Sequence, residues 1–179
     1  MISAGYMYKK LATRPDWIKA GNINDIYSVS SCISDDFCDW INFWKHNGYW
    51  FFDDPKIIGE IASDNGIDLT SMKPFYYRVY PKQWDADSSK WLSFSPEVSF
   101  STDVLEPAAP KFEGFDVVTY SAQTSAECSP LSCNSLADAL PTNSHCLFET
   151  LEVAESALES NSFDRAEPGP YRIVEVNSL

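Results

Sequence analysis

Phe37, Trp40, Ile41 and Trp44 stand at the i, i+3, i+4, i+7 spacing that gathers side chains on one face of an α-helix. No other stretch constrains the fold as strongly. A large aromatic buries about 150–250 Å², which at roughly 25 cal/mol per Å² contributes on the order of 4–6 kcal/mol before ordering entropy is subtracted. Both ends of this helix are signalled. Ser34 stands as N-cap, Asp35 and Asp36 meet the positive end of the helix dipole, Lys45 and His46 meet the negative end, and Asn47-Gly48 offers a left-handed stop. A second predicted helix has Asp54 as cap, Pro55 at the first position, Ile57, Ile58 and Ile61 as its apolar face, and Asn65-Gly66 as terminator. Tyr49-Trp50-Phe51-Phe52 between them is too apolar for a free loop and is expected as a short strand or a buried connector. Such aromatics also line ligand pockets, but core packing accounts for them more simply.

Strand signals follow. Phe75 to Tyr80 is rich in β-forming residues and bounded by Pro74 and Pro81, and the turn Asp85 to Ser89 returns the chain into Trp91-Leu92-Ser93-Phe94. Val98-Ser99-Phe100 adds a short strand, and Asp25 to Ser30 alternates as a half-buried strand does. Helix and strand stay open for the first residues, where Tyr6, Tyr8 and Leu11 alternate loosely. Further on, Phe115 to Tyr120 reads as strand, Leu136 to Leu140 as a short helix ended by Pro141, and Thr150 as the cap of a helix facing inward with Leu151, Ala154, Ala157 and Leu158. Tyr171 to Val176 closes the chain as an alternating strand. The fold class expected is α+β, a mixed or antiparallel sheet with helices packed against it. One domain over 1–179 is expected, and the proline-rich stretch 106–114 offers a subdivision into 1–105 and 115–179. No internal repeat is evident.

Thirteen Lys and Arg against 26 Asp and Glu give a formal net charge of −13. That field disfavours nucleic acid and anionic membranes and is compatible with a basic protein partner, although it also serves ordinary solubility. The first residues lack the apolar segment of a secretory signal, and no apolar run approaches the roughly 20 residues that span a bilayer. Cys32, Cys38, Cys128, Cys133 and Cys146 form an odd set without a dense framework, as in reduced cytoplasmic proteins. A cytoplasmic location is expected.

Reactive residue types are densest in Glu127-Cys128-Ser129-Pro130-Leu131-Ser132-Cys133-Asn134 and the following His145-Cys146. Three readings compete. Cys128, Cys133, His145 and Cys146 have the donor inventory of a zinc site, but the gap between the first two is wider than the usual knuckle, and adjacent His145 and Cys146 point different ways. Alternatively, Cys133 at the start of a short helix is a thiol nucleophile, with His145 as base and Glu127 or Asn134 orienting it. The third reading is structural: cysteines pack as small apolar residues, Ser and Asn close the turn, and His145 satisfies a buried carbonyl. Gly-rich phosphate loops, nucleophile elbows, HExxH and Cys-x-x-Cys pairs are absent, and no cofactor is assigned.

The segment from Glu127 to Phe148 (ECSPLSCN, then HCLF), together with Glu167 to Ile173 (EPGPYRI), resembles a pattern found in bacterial proteins of unknown function. It covers about a third of the chain and implies no activity. The function expected is therefore a non-catalytic protein-binding module of immunity or inhibitor type, its partner a basic protein. The alternative is a small cysteine-dependent enzyme or zinc-binding protein centred on Cys128, Cys133 and His145.

Overall fold

The computed structural model describes residues 1–37, 46–94, 103–120 and 126–179. Its elements run β1 (Ile2–Lys9), β2 (Ala12–Thr13), β3 (Asp25–Ile26), α1 (Pro55–Asn65), β4 (Lys73–Asp85), β5 (Lys90–Ser93), β6 (Lys111–Thr119), α2 (Pro130–Cys133), a 3-10 turn (Leu136–Asp138), α3 (Leu151–Glu159) and β7 (Tyr171–Ser178). The main sheet is antiparallel throughout, in the order β1-β4-β7-β6 with β5 added to β4. The fold is α+β.

The caps of α1 and α3 form as their sequences predict. Asp54 accepts the Lys56 N–H at 2.8 Å, Pro55 begins α1, and Gly66 ends it at φ 67°. Thr150 accepts the Val153 N–H at 3.3 Å. Strand β4 extends beyond its predicted end, running through Pro81 to Asp85. Pro81 is tolerated because the pairing of β4 with β7 is interrupted between Val79 and Gln83, where no ladder N–H is required of it. Most of the tryptophan-bearing helix expected after Ser34, including Trp40, Ile41 and Trp44, and the strand expected at 98–100 lie outside the described residues. Within them, Phe37 is fully buried and the Ser34 hydroxyl donates to the Ile26 carbonyl at 2.8 Å.

The chain is built twice on one plan, contrary to the expectation of no repeat. Each half has an outer strand (β1 or β6), an asparagine-centred loop, a helix (α1 or α3) and an inner strand (β4 or β7), so the sheet order is symmetric about the β4–β7 pair. Gly5 and Gly114 occupy the same place at φ 133° and 143°, and a Cβ on either would stand 2.7 Å from a carbonyl oxygen, that of Phe52 or Phe148. Beside them Tyr6 exchanges backbone hydrogen bonds with Phe52, and Phe115 with Phe148. Trp50 and Cys146 both take the left-handed conformation, at φ 64° and 63°. The repeat escapes the sequence because little more than a glycine followed by an aromatic, an asparagine and a phenylalanine persists, and the intervening loops differ in length.

The first half's longer loop becomes a strap over the second half. Ile18, Ile23 and Ile26 pack in a buried cluster with Val117, Leu131 and Phe148. Backbone N–H groups of Asn24 and Tyr27 donate to the carbonyls of Ser144 and His145 at 2.9 and 3.1 Å. Of the predicted strand over 25–30, only Asp25–Ile26 pairs, with Ala12–Thr13, because the following backbone bonds to side chains of the second half instead.

Candidate functional site

Strap and second half meet at three thiols. At the end of β6, Thr119 and Cys128 bridge through a 2.9 Å backbone hydrogen bond, Ser129 leads into α2, and α2 ends on Cys133. The strap delivers Cys32. The Sγ atoms of Cys32, Cys128 and Cys133 all lie within 4.8 Å of one another, Cys32 exposed, Cys128 buried and Cys133 between the two.

Two buried ionisable groups hold the strap in register. The Asp116 carboxylate, on β6, accepts the Val29 N–H at 2.8 Å and the Ser129 hydroxyl at 2.6 Å, while that hydroxyl oxygen accepts the Ser30 N–H at 3.1 Å. From the other side the Lys9 ammonium donates to the carbonyls of Val29 and Ser30 at 3.0 and 2.8 Å. Burial pushes the Asp116 carboxyl up to about 6, against the pull of its hydrogen bonds and of Lys9.

The sulfurs have their own partners. Cys32 donates to the Glu127 carbonyl at 2.9 Å, Cys128 reaches Asn134 Oδ1 at 3.7 Å, and Ser30 Oγ lies 4.0 Å from Cys133 Sγ. Hydrogen bonds from Cys128 and Cys133, with the Lys9 charge, hold the Cys32 thiol far below its ordinary range despite partial burial. Cys128 is pushed up by its two sulfur neighbours and by burial. Cys133 is also raised: its hydrogen bond with Cys128 lowers it, but Cys32 and burial outweigh that. The first of the three thiols to ionise is thus the one that water reaches.

Of the residues the sequence nominates, Cys128 and Cys133 converge. Glu127 contributes its carbonyl oxygen to Cys32. His145 belongs to another group, its Nδ1 2.5 Å from Asp25 Oδ1, its Nε2 3.7 Å from Glu113 Oε2, and its ring stacked on Tyr27 at 4.1 Å. Burial works to raise the Glu113 carboxyl, but Ser178, Lys111 and Lys73 outweigh it and leave the group below its ordinary value. Cys146 is buried in the second half's core, and that burial raises its thiol. Cys32, which completes the cluster, carries no sequence signal, since its partners are nearly a hundred residues away. Soft metal ions and disulfide chemistry are what three adjacent thiols can support.

A second concavity lies between the β4–β5 turn and the segment before β7. This cavity of about 320 Å³ is lined by Asp85, Asp87 and Asp164 together with Ala86, Ala166, Pro168 and the buried Phe163 and Tyr171. Those two rings pack at 5.3 Å. Hydrogen bonds from Ser88 and from the Asp87 backbone hold the Asp85 carboxyl below its ordinary range, so it is anionic at neutral pH.

Comparison with protein-family models, curated proteins and solved structures finds no match for this chain. Among the described residues, no helix is long and apolar enough to cross a membrane.

Proposed function

We propose that the chain is a non-catalytic binding module for a basic protein, of immunity or inhibitor type. The observation that supports this reading is the concavity whose lining brings together Asp85, Asp87 and Asp164. Carboxylates gathered at a concavity with an apolar wall suit an arginine or lysine side chain, which lays its aliphatic stem along that wall and its charge among the carboxylates. The formal net charge of −13 adds long-range attraction that speeds encounter with a cationic surface.

Calorimetric titration with a short arginine-rich peptide tests the reading. Binding is expected to weaken as salt rises, and Asp87→Asn with Asp164→Asn together should lower affinity by about tenfold or more, in line with loss of charge-assisted contacts. Equal affinity for the variant and the parent, or binding indifferent to salt, would contradict it.

A further inference from the structure

We propose that Cys32, Cys128 and Cys133 bind one thiophilic divalent cation, zinc, which fastens the strap to the second half. This goes beyond the basic-partner reading and does not depend on it. Three features carry the inference. The first is distance: with zinc–sulfur bonds of about 2.3 Å, the edge of a tetrahedron is about 3.8 Å. The three sulfurs already lie within 4.8 Å of each other, so closing on a metal moves them by about an ångström at most.

The second is support. Cys128 and Cys133 sit on the strand bridge and helix of one rigid loop, while Cys32 follows a backbone pinned at Val29 and Ser30 by Asp116, Ser129 and Lys9. Ligand geometry is precise when neighbouring hydrogen bonds set it, and here they do so on both sides of the join. The third is donor chemistry. Three sulfurs, with no carboxylate or imidazole gathered beside them among the described residues, select zinc over magnesium or calcium.

Binding forms three zinc–sulfur bonds, each sulfur giving up to solvent whatever proton it still carries, and leaves a centre of net charge −1 close to the buried Lys9 ammonium. The Cys32 hydrogen bond to the Glu127 carbonyl is given up in the process. Because Cys32 is the exposed member, the fourth position faces water, and a solvent molecule completes the tetrahedron.

The test uses the full chain, reduced and stripped of metal, titrated with cobalt(II) and then with zinc(II). One cobalt per chain is expected, with thiolate-to-metal charge-transfer absorption and tetrahedral visible bands, displaced by one equivalent of zinc. Cys32→Ser, at an exposed position, should weaken zinc binding by more than about 100-fold, beyond what loss of an outer-shell partner costs. Zinc should raise the thermal unfolding midpoint of the parent chain and not of Cys32→Ser. Cys146→Ala should bind as the parent does. Cobalt bound without charge-transfer absorption, no metal bound, or undiminished zinc affinity in Cys32→Ser would each overturn the proposal.

Discussion

Asn47 and Asn143 hold the same post in the two halves of the molecule. The Oδ1 of Asn47 accepts the N–H groups of Tyr49 and Phe51 at 2.9 and 3.2 Å, and that of Asn143 accepts those of His145 and Leu147 at 2.9 and 3.2 Å. Their amide nitrogens donate at 2.7 Å to the carbonyls of Ala4 and Glu113, each next to the glycine of its outer strand. Each asparagine therefore closes a loop on itself and clamps it to a strand edge. That edge would otherwise be open to pairing with another chain, so the clamp also protects the sheet.

Replacing Asn47 by Ala leaves the N–H groups of Tyr49 and Phe51 and the carbonyl of Ala4 without these partners in a buried loop. At about 1–3 kcal/mol for each unsatisfied buried group, less whatever relaxation recovers, a destabilisation of about 2–4 kcal/mol is expected. Asn143→Ala, in a less buried setting, should cost less. Urea unfolding at neutral pH measures both, and a loss below about 1 kcal/mol for Asn47→Ala would mean that the clamp is dispensable.

Gly5→Ala and Gly114→Ala should be comparably damaging for a different reason. Each glycine sits at a φ that side chains rarely adopt, and each new methyl would meet a backbone oxygen at 2.7 Å that belongs to the bonded loop and cannot rotate away. Strain of about 1–3 kcal/mol per position, plus the clash, should lower both unfolding midpoints. Gly59→Ala supplies the control. Its Cβ meets nothing within 4 Å, and in the middle of α1 the change should be neutral or stabilising by up to about 1 kcal/mol.

What was legible in the sequence was local. Asp54-Pro55 and Gly66, or Thr150 before Leu151, announce helix ends because capping satisfies groups within one turn. Cys128 and Cys133 were likewise visible as neighbours in one loop. Cys32 was not, because it arrives on a strap fixed by Asp116, Ser129 and Lys9, whose hydrogen bonds leave no periodic trace. His145 was visible as a reactive residue but not its pairing with Asp25, for the same reason. Pro81 misled because a proline stops a strand only where its missing N–H is needed, and an irregular register removes that need.

Cys32 should be the first of the described cysteines to alkylate. Its thiol is lowered while those of Cys128, Cys133 and Cys146 are raised, so it is the first of them to ionise, and it is also the exposed one. In the metal-free reduced protein, iodoacetamide followed by peptide mapping should show Cys32 labelled at lower pH and faster than Cys128, Cys133 and Cys146. A labelling rate at Cys32 that climbs tenfold per pH unit through neutrality would show an ordinary thiol.

Asp116 makes stability depend on pH in an unusual direction for a carboxylate. Its pKa is raised from 3.8 to about 6 in the folded chain, so between those values the native state binds more protons than the unfolded one. The stabilising contribution of the protonated form is complete below about pH 4 and is lost as pH rises through 6. At about 1.4 kcal/mol per pH unit of difference, the loss is on the order of 3 kcal/mol. Asp116→Asn cannot ionise and escapes that loss, although its amide is a poorer acceptor for Val29 and Ser129 and so costs a constant amount. The stability difference between Asp116→Asn and the parent should therefore shift in favour of the variant by roughly 2–2.5 kcal/mol between pH 4 and pH 7, most of the full amount. Urea midpoints across that range measure the shift. Parallel pH profiles for the two proteins would show that the carboxyl titrates as it does in the unfolded chain, and that the strap is held without a buried proton.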